Sequence, residues 1–183
     1  MLIVMLELAI LGFLSDHPLH GYELRKRVAA LMGHVRPVAD GTLYPAIKRL
    51  AAAGWVTRKD EPGVAAAPRR VLYLTEDGRA ELERRLREPA DLDISDENRW
   101  FTLLAFLRLL DEPDAQAAVL RRRLTFLEEP TSFFYDGERP MAAEEFADPF
   151  RQGLLVIAQA TSQAELTWLR ATIAELESAP AAR

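Results

Sequence analysis

The run VADGTLYPAIKRLAAAGWV, Val38 to Val56, constrains this chain more than any other stretch. Within it a helix must start, bury one stripe, stop, and hand the chain to a strand. Asp40 or Thr42 can cap the start by accepting from backbone N–H groups that the first turn leaves unpaired. Leu43, Ile47 and Leu50 recur at i, i+4 and i+7 and so share one face. Pro45 is tolerable because it falls in or next to the first turn, and Gly54 ends the helix. The opposite face then carries Thr42, Tyr44, Pro45, Lys48 and Arg49: a hydroxyl, an amphipathic ring, a proline and two cations.

The flanking segments place this helix third in a series. Leu2 to Ser15 is apolar around most of a helical surface, as expected of a helix buried on several sides. His17 and Pro18 break it, and a second helix is expected from Gly21 to Met32, with Tyr22, Leu24, Val28 and Leu31 packing inward and Gly33 closing it. After the third helix, Trp55–Asp60 and Arg69–Thr75 read as two short strands around the loop EPGVAAAP, a small hairpin. Thr75 caps a fourth helix, Glu76 to about Arg87, which Pro89 ends.

Three helices followed by a two-stranded hairpin is the order of a winged helix-turn-helix. In that motif the second helix of the turn lies in the DNA major groove, and its exposed N-terminal half meets base edges and phosphates. Thr42, Tyr44, Pro45, Lys48 and Arg49 are therefore the candidate DNA-binding residues. Tyr44 and Pro45 offer apolar surface of a kind that touches a thymine methyl, and the helix N-terminus adds donors for a phosphate. Arg69 and Arg70 stand where the hairpin returns from its tip, within reach of a flanking phosphate or a narrow minor groove.

Charge supports this division of labour. The 183-residue chain carries a formal net charge of −5, which evenly spread would disfavour a polyanionic partner. It is not evenly spread: ten basic and four acidic residues lie between His20 and Thr75, whereas residues 91–183 hold nine basic and 17 acidic residues.

Past Pro89 the stretch EPADLDISDE reads as a linker, so the expected domains are a winged-helix domain over 1–88 and a helical dimerisation and effector domain over 89–183. The fold class is accordingly mainly α. Helices are expected over Asn98–Leu110, from about Asp111 and Pro113 to Glu128, and from Pro149 to Glu177. On the last, Leu155, Ser162, Leu166, Leu169, Ile173 and Leu176 keep heptad-like spacing. That seam suits either packing within one subunit or a subunit interface, and the helix's length favours the interface, making these the candidate dimerisation residues. Trp100 and Phe101 are candidates for lining an apolar effector pocket, although aromatic residues at helical spacing also build cores.

Other classes find little support. The chain has no cysteine, which removes disulfides and thiolate sites and fits a reducing compartment, the cytoplasm being the expectation. The apolar opening Leu2–Leu14 is 13 residues long, contains Glu7 and has no basic residue before it, which suits neither a membrane span nor a signal peptide. His17, His20 and His34 lack the companions of a metal shell. No phosphate loop or nucleophile motif is present, and Glu128/Glu129 and Glu144/Glu145 suit solvated helix ends better than an acid with its base. An enzyme, a cofactor and a resident metal are not expected.

HGYEL (His20 to Leu24), GTLYPAIKRLAAAGWV (Gly41 to Val56) and PRRVLYLTEDGR (Pro68 to Arg79), in this order and spacing, resemble the signature of the PadR family of transcriptional regulators. The likeness covers roughly residues 5 to 87, and the later helices are similar in length and character to the longer members of that family. It implies a homodimer that binds an inverted-repeat operator on double-stranded DNA, usually as a repressor, with a small aromatic or hydrophobic effector releasing it near the dimer interface. Carried over by position, Thr42, Tyr44, Pro45, Lys48 and Arg49 match the recognition helix, and Arg69 and Arg70 the wing. The loop GVAAAP departs from relatives that carry glycine or charge there. A winged-helix module serving only protein–protein assembly is the alternative, and the salt dependence of DNA binding separates the two.

Overall fold

A computed structural model describes residues 2–32, 40–61, 69–129, 135–136 and 139–178. Gly33, His34 and the hairpin loop 62–68 lie outside the described residues, as do the side chains of Asp40 and Arg69. The chain divides into two compact units, residues 1–111 and 112–183.

The first unit is built around α1 (Leu2–Asp16). Leu6, Leu8, Ala9, Ile10, Leu11 and Leu14 are all buried, which is why a helix apolar on every side is stable here. Burial of each large side chain contributes roughly 1.5–3 kcal/mol. Packed against α1 are α2 (Gly21–Met32), α3 (Asp40–Ala52), α4 (Glu76–Arg87) and α6 (Glu97–Phe106). Gly12 is needed where α6 closes on α1, since a Cβ there would stand 2.5 Å from the Phe106 ring. Phe13 meets the same ring edge to face, with centroids 5.1 Å apart.

The hairpin forms as β2 (Val56–Glu61) and β3 (Arg69–Leu74), antiparallel with Val56 opposite Leu74 and Asp60 opposite Arg70. A third strand, β1 (Leu19–His20), adds to the expected pair; it joins the other edge of β3, giving the order β1-β3-β2. Two residues after a proline carry too little pattern to read as a strand.

The linker expected over 88–97 is structured instead. A short helix, α5 (Asp91–Ser95), occupies it, and Pro89 and Ile94 are buried. With Trp100, Leu103 and Phe106 of α6 also buried, this segment joins the first unit, so the division falls after Asp111 and not after residue 88. The expected helix to Leu110 tightens into a 3-10 turn at Leu107–Leu109.

In the second unit, α7 (Pro113–Glu128) packs along α8 (Pro149–Ser178). Arg121 pairs with Glu177 and Arg170 with Glu128 at 2.8 Å, so the two helices run antiparallel. Between them the buried Arg123 holds Glu165 through two bonds, 2.8 and 2.9 Å, a forked contact that fixes register. The short strands β4 (Tyr135–Asp136) and β5 (Arg139–Pro140) pair with each other.

The seam expected to meet a second subunit is largely used inside the chain. Leu155, Leu169 and Ile173 are buried, and Ser162, Leu166 and Leu176 are half-buried on the face that meets α7. A second seam runs along α8: Phe150, Leu154, Ile157, Thr161, Ala164 and Trp168 repeat at alternating four- and three-residue steps. All six are exposed, Phe150 at 86% and Ile157 at 68%. Both seams have heptad spacing, and sequence alone does not say which one α7 takes.

Candidate nucleic-acid interface

α3 behaves as its stripe requires. Leu43, Ala46, Ile47 and Leu50 are buried at 1% exposure or less, holding the helix down by its inner face. Gly54, at φ +79°, adopts the left-handed conformation that ends the helix. Its N–H donates to Ala51 O at 3.1 Å and Trp55 N–H to Leu50 O at 3.0 Å, the paired bonds of a Schellman stop that leads the chain into β2.

The helix begins at Asp40, earlier than a Thr42 cap would place it, so Pro45 lies inside the helix and not in its opening turn. The proline cannot donate to Gly41 O, and Gly41 is exposed, leaving that carbonyl to solvent.

The outward face is not uniform. Tyr44 is 50% exposed, and Pro45 and Lys48 are exposed beside it. Lys48 makes no ion pair among the described residues. Thr42 is half-buried at the far edge of this face. Arg49, at the same edge and with its side chain 45% exposed, donates through Nε to Glu7 Oε1 at 2.9 Å, tying α3 to α1. Glu7, in the middle of apolar α1, is only 9% exposed.

Arg70 stands well out from β3, its side chain 80% exposed and its Nε 3.8 Å from Asp60 Oδ1. The backbone of Arg69 begins β3 opposite Glu61. On the same hairpin the Lys59 ammonium sits 4.9 Å from the centre of the Tyr73 ring, a cation–π contact, and Tyr73 donates to Glu61. That bond raises the Tyr73 phenol above its ordinary range.

One aromatic residue departs from its expected place. Tyr22, expected to pack inward, is 76% exposed. The inward stripe of α2 is Leu24 and Val28, with Leu31 half-buried, and Tyr22 sits off it at the start of the helix. Its offset of two from Leu24 is the sequence signal for an outside position. With His20, Gly21, Tyr44 and Arg70 it lines one open hollow that joins α2, α3 and the hairpin. His20 Nδ1 lies 3.4 Å from Arg70 O across it.

The effector candidates part company. Trp100 is fully buried as a core residue, whereas Phe101 is exposed and borders a recess of about 60 Å³ with Met5, Leu31, Met32, Asn98 and Thr102. A much larger open cleft, about 770 Å³, lies on the second unit between α7 and α8. Among the described residues no cluster of three or more His, Asp or Glu side chains could hold a metal ion, and no helix is long and apolar enough to cross a membrane.

Residues 10–84 match the model of the transcriptional regulator PadR-like family. Through this segment, less than half of its length, the chain is similar to that family. No curated protein matches the sequence. Among solved structures it is similar to Bacillus subtilis PadR in complex with operator DNA, at 20% identity over 92% of this chain and 97% of that one, with a TM-score of 0.44. The same Bacillus protein in complex with p-coumaric acid matches at 20% identity over 95% and 99%, TM-score 0.42. A PadR family transcription regulator from Clostridium difficile matches at 23% identity over 44% of this chain and 81% of its own, TM-score 0.39.

Proposed function

We propose that this chain is a PadR-like regulator, a homodimeric, sequence-specific repressor that reads an inverted-repeat operator with α3 and steadies itself with the hairpin wing. The observation that carries the reading is the two-sided character of α3: one face sealed into the core, the other presenting Tyr44, Pro45 and Lys48 beside the exposed Arg70. Lys48 and Arg70 are the cations best placed to reach phosphates. Tyr44 and Pro45 supply apolar contact to base edges, and Thr42 a hydroxyl at the rim. Tyr22 joins them as a further aromatic residue on the same hollow. Arg69 keeps its place in the wing through its backbone position at the start of β3.

Dimerisation is assigned to the bare seam of α8, Phe150, Leu154, Ile157 and Trp168, because a row of exposed apolar side chains at heptad spacing is the surface that a second helix covers in a coiled-coil contact. A small apolar effector is assigned to the cleft of about 770 Å³, whose walls include Phe126, Leu127, Val156 and Leu166 with Gln159 and Gln163 as polar anchors. The site of action is the cytoplasm, where the operator lies.

Footprinting of the DNA immediately upstream of the chain's own coding sequence tests the reading, together with a titration of affinity against salt. A protected pair of half-sites and a steep negative slope, about 0.9 per phosphate contact, are expected. A flat slope would leave a protein-assembly module as the better account.

A further inference from the structure

Glu7 is a carboxylate that its apolar surroundings do not explain. From Leu2 to Ser15 it is the one charged residue, and it is 9% exposed in the helix at the centre of the unit. Burying a carboxylate there is costly unless it is paired and hydrogen-bonded. Its two oxygens are divided between two other helices. Oε1 accepts from Arg49 Nε on α3 at 2.9 Å, and Oε2 lies 3.5 Å from Arg85 Nη1 on α4.

Arg85 is itself firmly held. Its Nε donates to Glu81 at 2.7 Å and its guanidinium lies 5.0 Å from the centre of the Trp55 ring, while its buried Nη1 meets Glu7 as an ion pair without a hydrogen bond. Trp55 is the residue at which α3 hands over to β2. Glu7 is therefore the joint through which α1, α3 and α4 are clamped beside the turn that leads into the wing.

The apolar stripe of α3 cannot do this alone. Hydrophobic contact is non-directional, and a stripe of Leu43, Ala46, Ile47 and Leu50 tolerates rolling and small slides. A charged hydrogen bond from a side chain at the edge of the exposed face sets the roll. It also engages the Nε of Arg49, whose side chain remains 45% exposed.

We propose that Glu7 is a positioning residue for operator recognition, fixing the roll of α3 through Arg49 and withholding that arginine from the DNA backbone. The inference rests on the reading of α3 as the groove helix. It divides adjacent cations into two roles: Lys48 touches DNA, and Arg49 aims the helix.

The experiment uses Glu7→Gln, Arg49→Gln and the double variant in the full chain. Each is titrated across salt against an unrelated duplex and against the best duplex selected from a random pool by the parent protein. Glu7→Gln is expected to steepen the slope on unrelated DNA by about 0.9 per subunit as Arg49 finds a phosphate. The preference for the selected duplex should fall by about tenfold, the scale of one displaced base contact. The double variant should regain the parental slope while keeping the lowered preference of Glu7→Gln. Arg49→Gln alone should leave the parental slope unchanged while lowering the preference, and this arm stands even if Glu7→Gln fails to fold.

Two outcomes overturn the proposal: a Glu7→Gln protein that melts lower but keeps slope and preference, and an Arg49→Gln protein whose slope drops by about 0.9. A parent protein that binds no duplex in a salt-dependent way would instead sink the DNA-binding reading, and the inference with it.

Discussion

Lys48 and Arg49 are neighbours in sequence and opposite in circumstance. Nothing in the sequence separates them, since both lie off the Leu43/Ile47/Leu50 stripe; the difference is the distant Glu7, 42 residues away, which only folding brings to Arg49. Lys48→Ala should therefore reduce the salt slope of DNA binding by about 0.9 per subunit while leaving the melting temperature unchanged, because no described partner is lost. A thermal shift alongside the binding titration checks both halves. Tyr22 teaches the same lesson in reverse: an aromatic residue invites an inward assignment, but its angular position decides.

Glu81 gives the residue scale a pH dependence. The Arg84 guanidinium, with that of Arg85 beside it, holds the Glu81 carboxyl down at about 2, against an ordinary 4.5. Its folded value lies below its unfolded one, so the stabilisation is complete above the ordinary value and is lost as pH falls toward about 2. Melting temperature should decline with acidification through that window. Glu81→Gln should remove part of that decline, as measured by calorimetry from neutral to acid pH.

Elements show where local signals suffice and where they do not. The first four helices and the hairpin lie close to their expected bounds, because each is marked by its own stripe, cap and stop. Thr75 is a direct case: its Oγ1 accepts from Gly78 N–H at 3.0 Å to cap α4 and donates to Gly54 O at 2.7 Å. One hydroxyl thus joins the start of α4 to the end of α3. Thr75→Ala should cost about 1–2 kcal/mol, the range of a lost N-cap, read by chemical denaturation. Gly78 is more stringent, since a Cβ there would stand 2.1 Å from Trp55 O, a backbone atom that cannot turn aside. Gly78→Ala should destabilise by roughly 1–3 kcal/mol or more, as overpacking does, and should weaken DNA binding in step with the loss of folded protein. By contrast, α5 and β1 are not legible in the sequence because their residues are defined by what they pack against. EPADLDISDE is acidic and turn-rich in isolation, yet Pro89 and Ile94 are buried in the first unit.

At the scale of the whole molecule, the uneven charge coincides with the proposed division of labour: the basic segment contains α3 and the wing, and the acidic segment holds the long helix α8. The two seams of α8 share a pattern and differ in what covers them. A thirty-residue helix has room for heptad seams on different faces, and α7 covers the one carrying Leu155, Leu169 and Ile173. The bare seam then makes a sharp test of assembly. Leu154→Asp with Ile157→Asp places two charges on exposed positions, so the subunit fold should survive with little change in helix content, whereas Leu169→Asp on the covered seam should unfold the second unit. If the bare seam joins subunits, the double variant should sediment as a monomer where the parent sediments as a dimer. Its operator affinity should fall steeply, because two half-sites are then bound as separate events and the effective concentration that links them is lost. Its affinity for a single half-site should match the parent's, which separates lost assembly from damage to α3. A double variant that remains dimeric and binds the full operator normally would move the interface elsewhere on the chain.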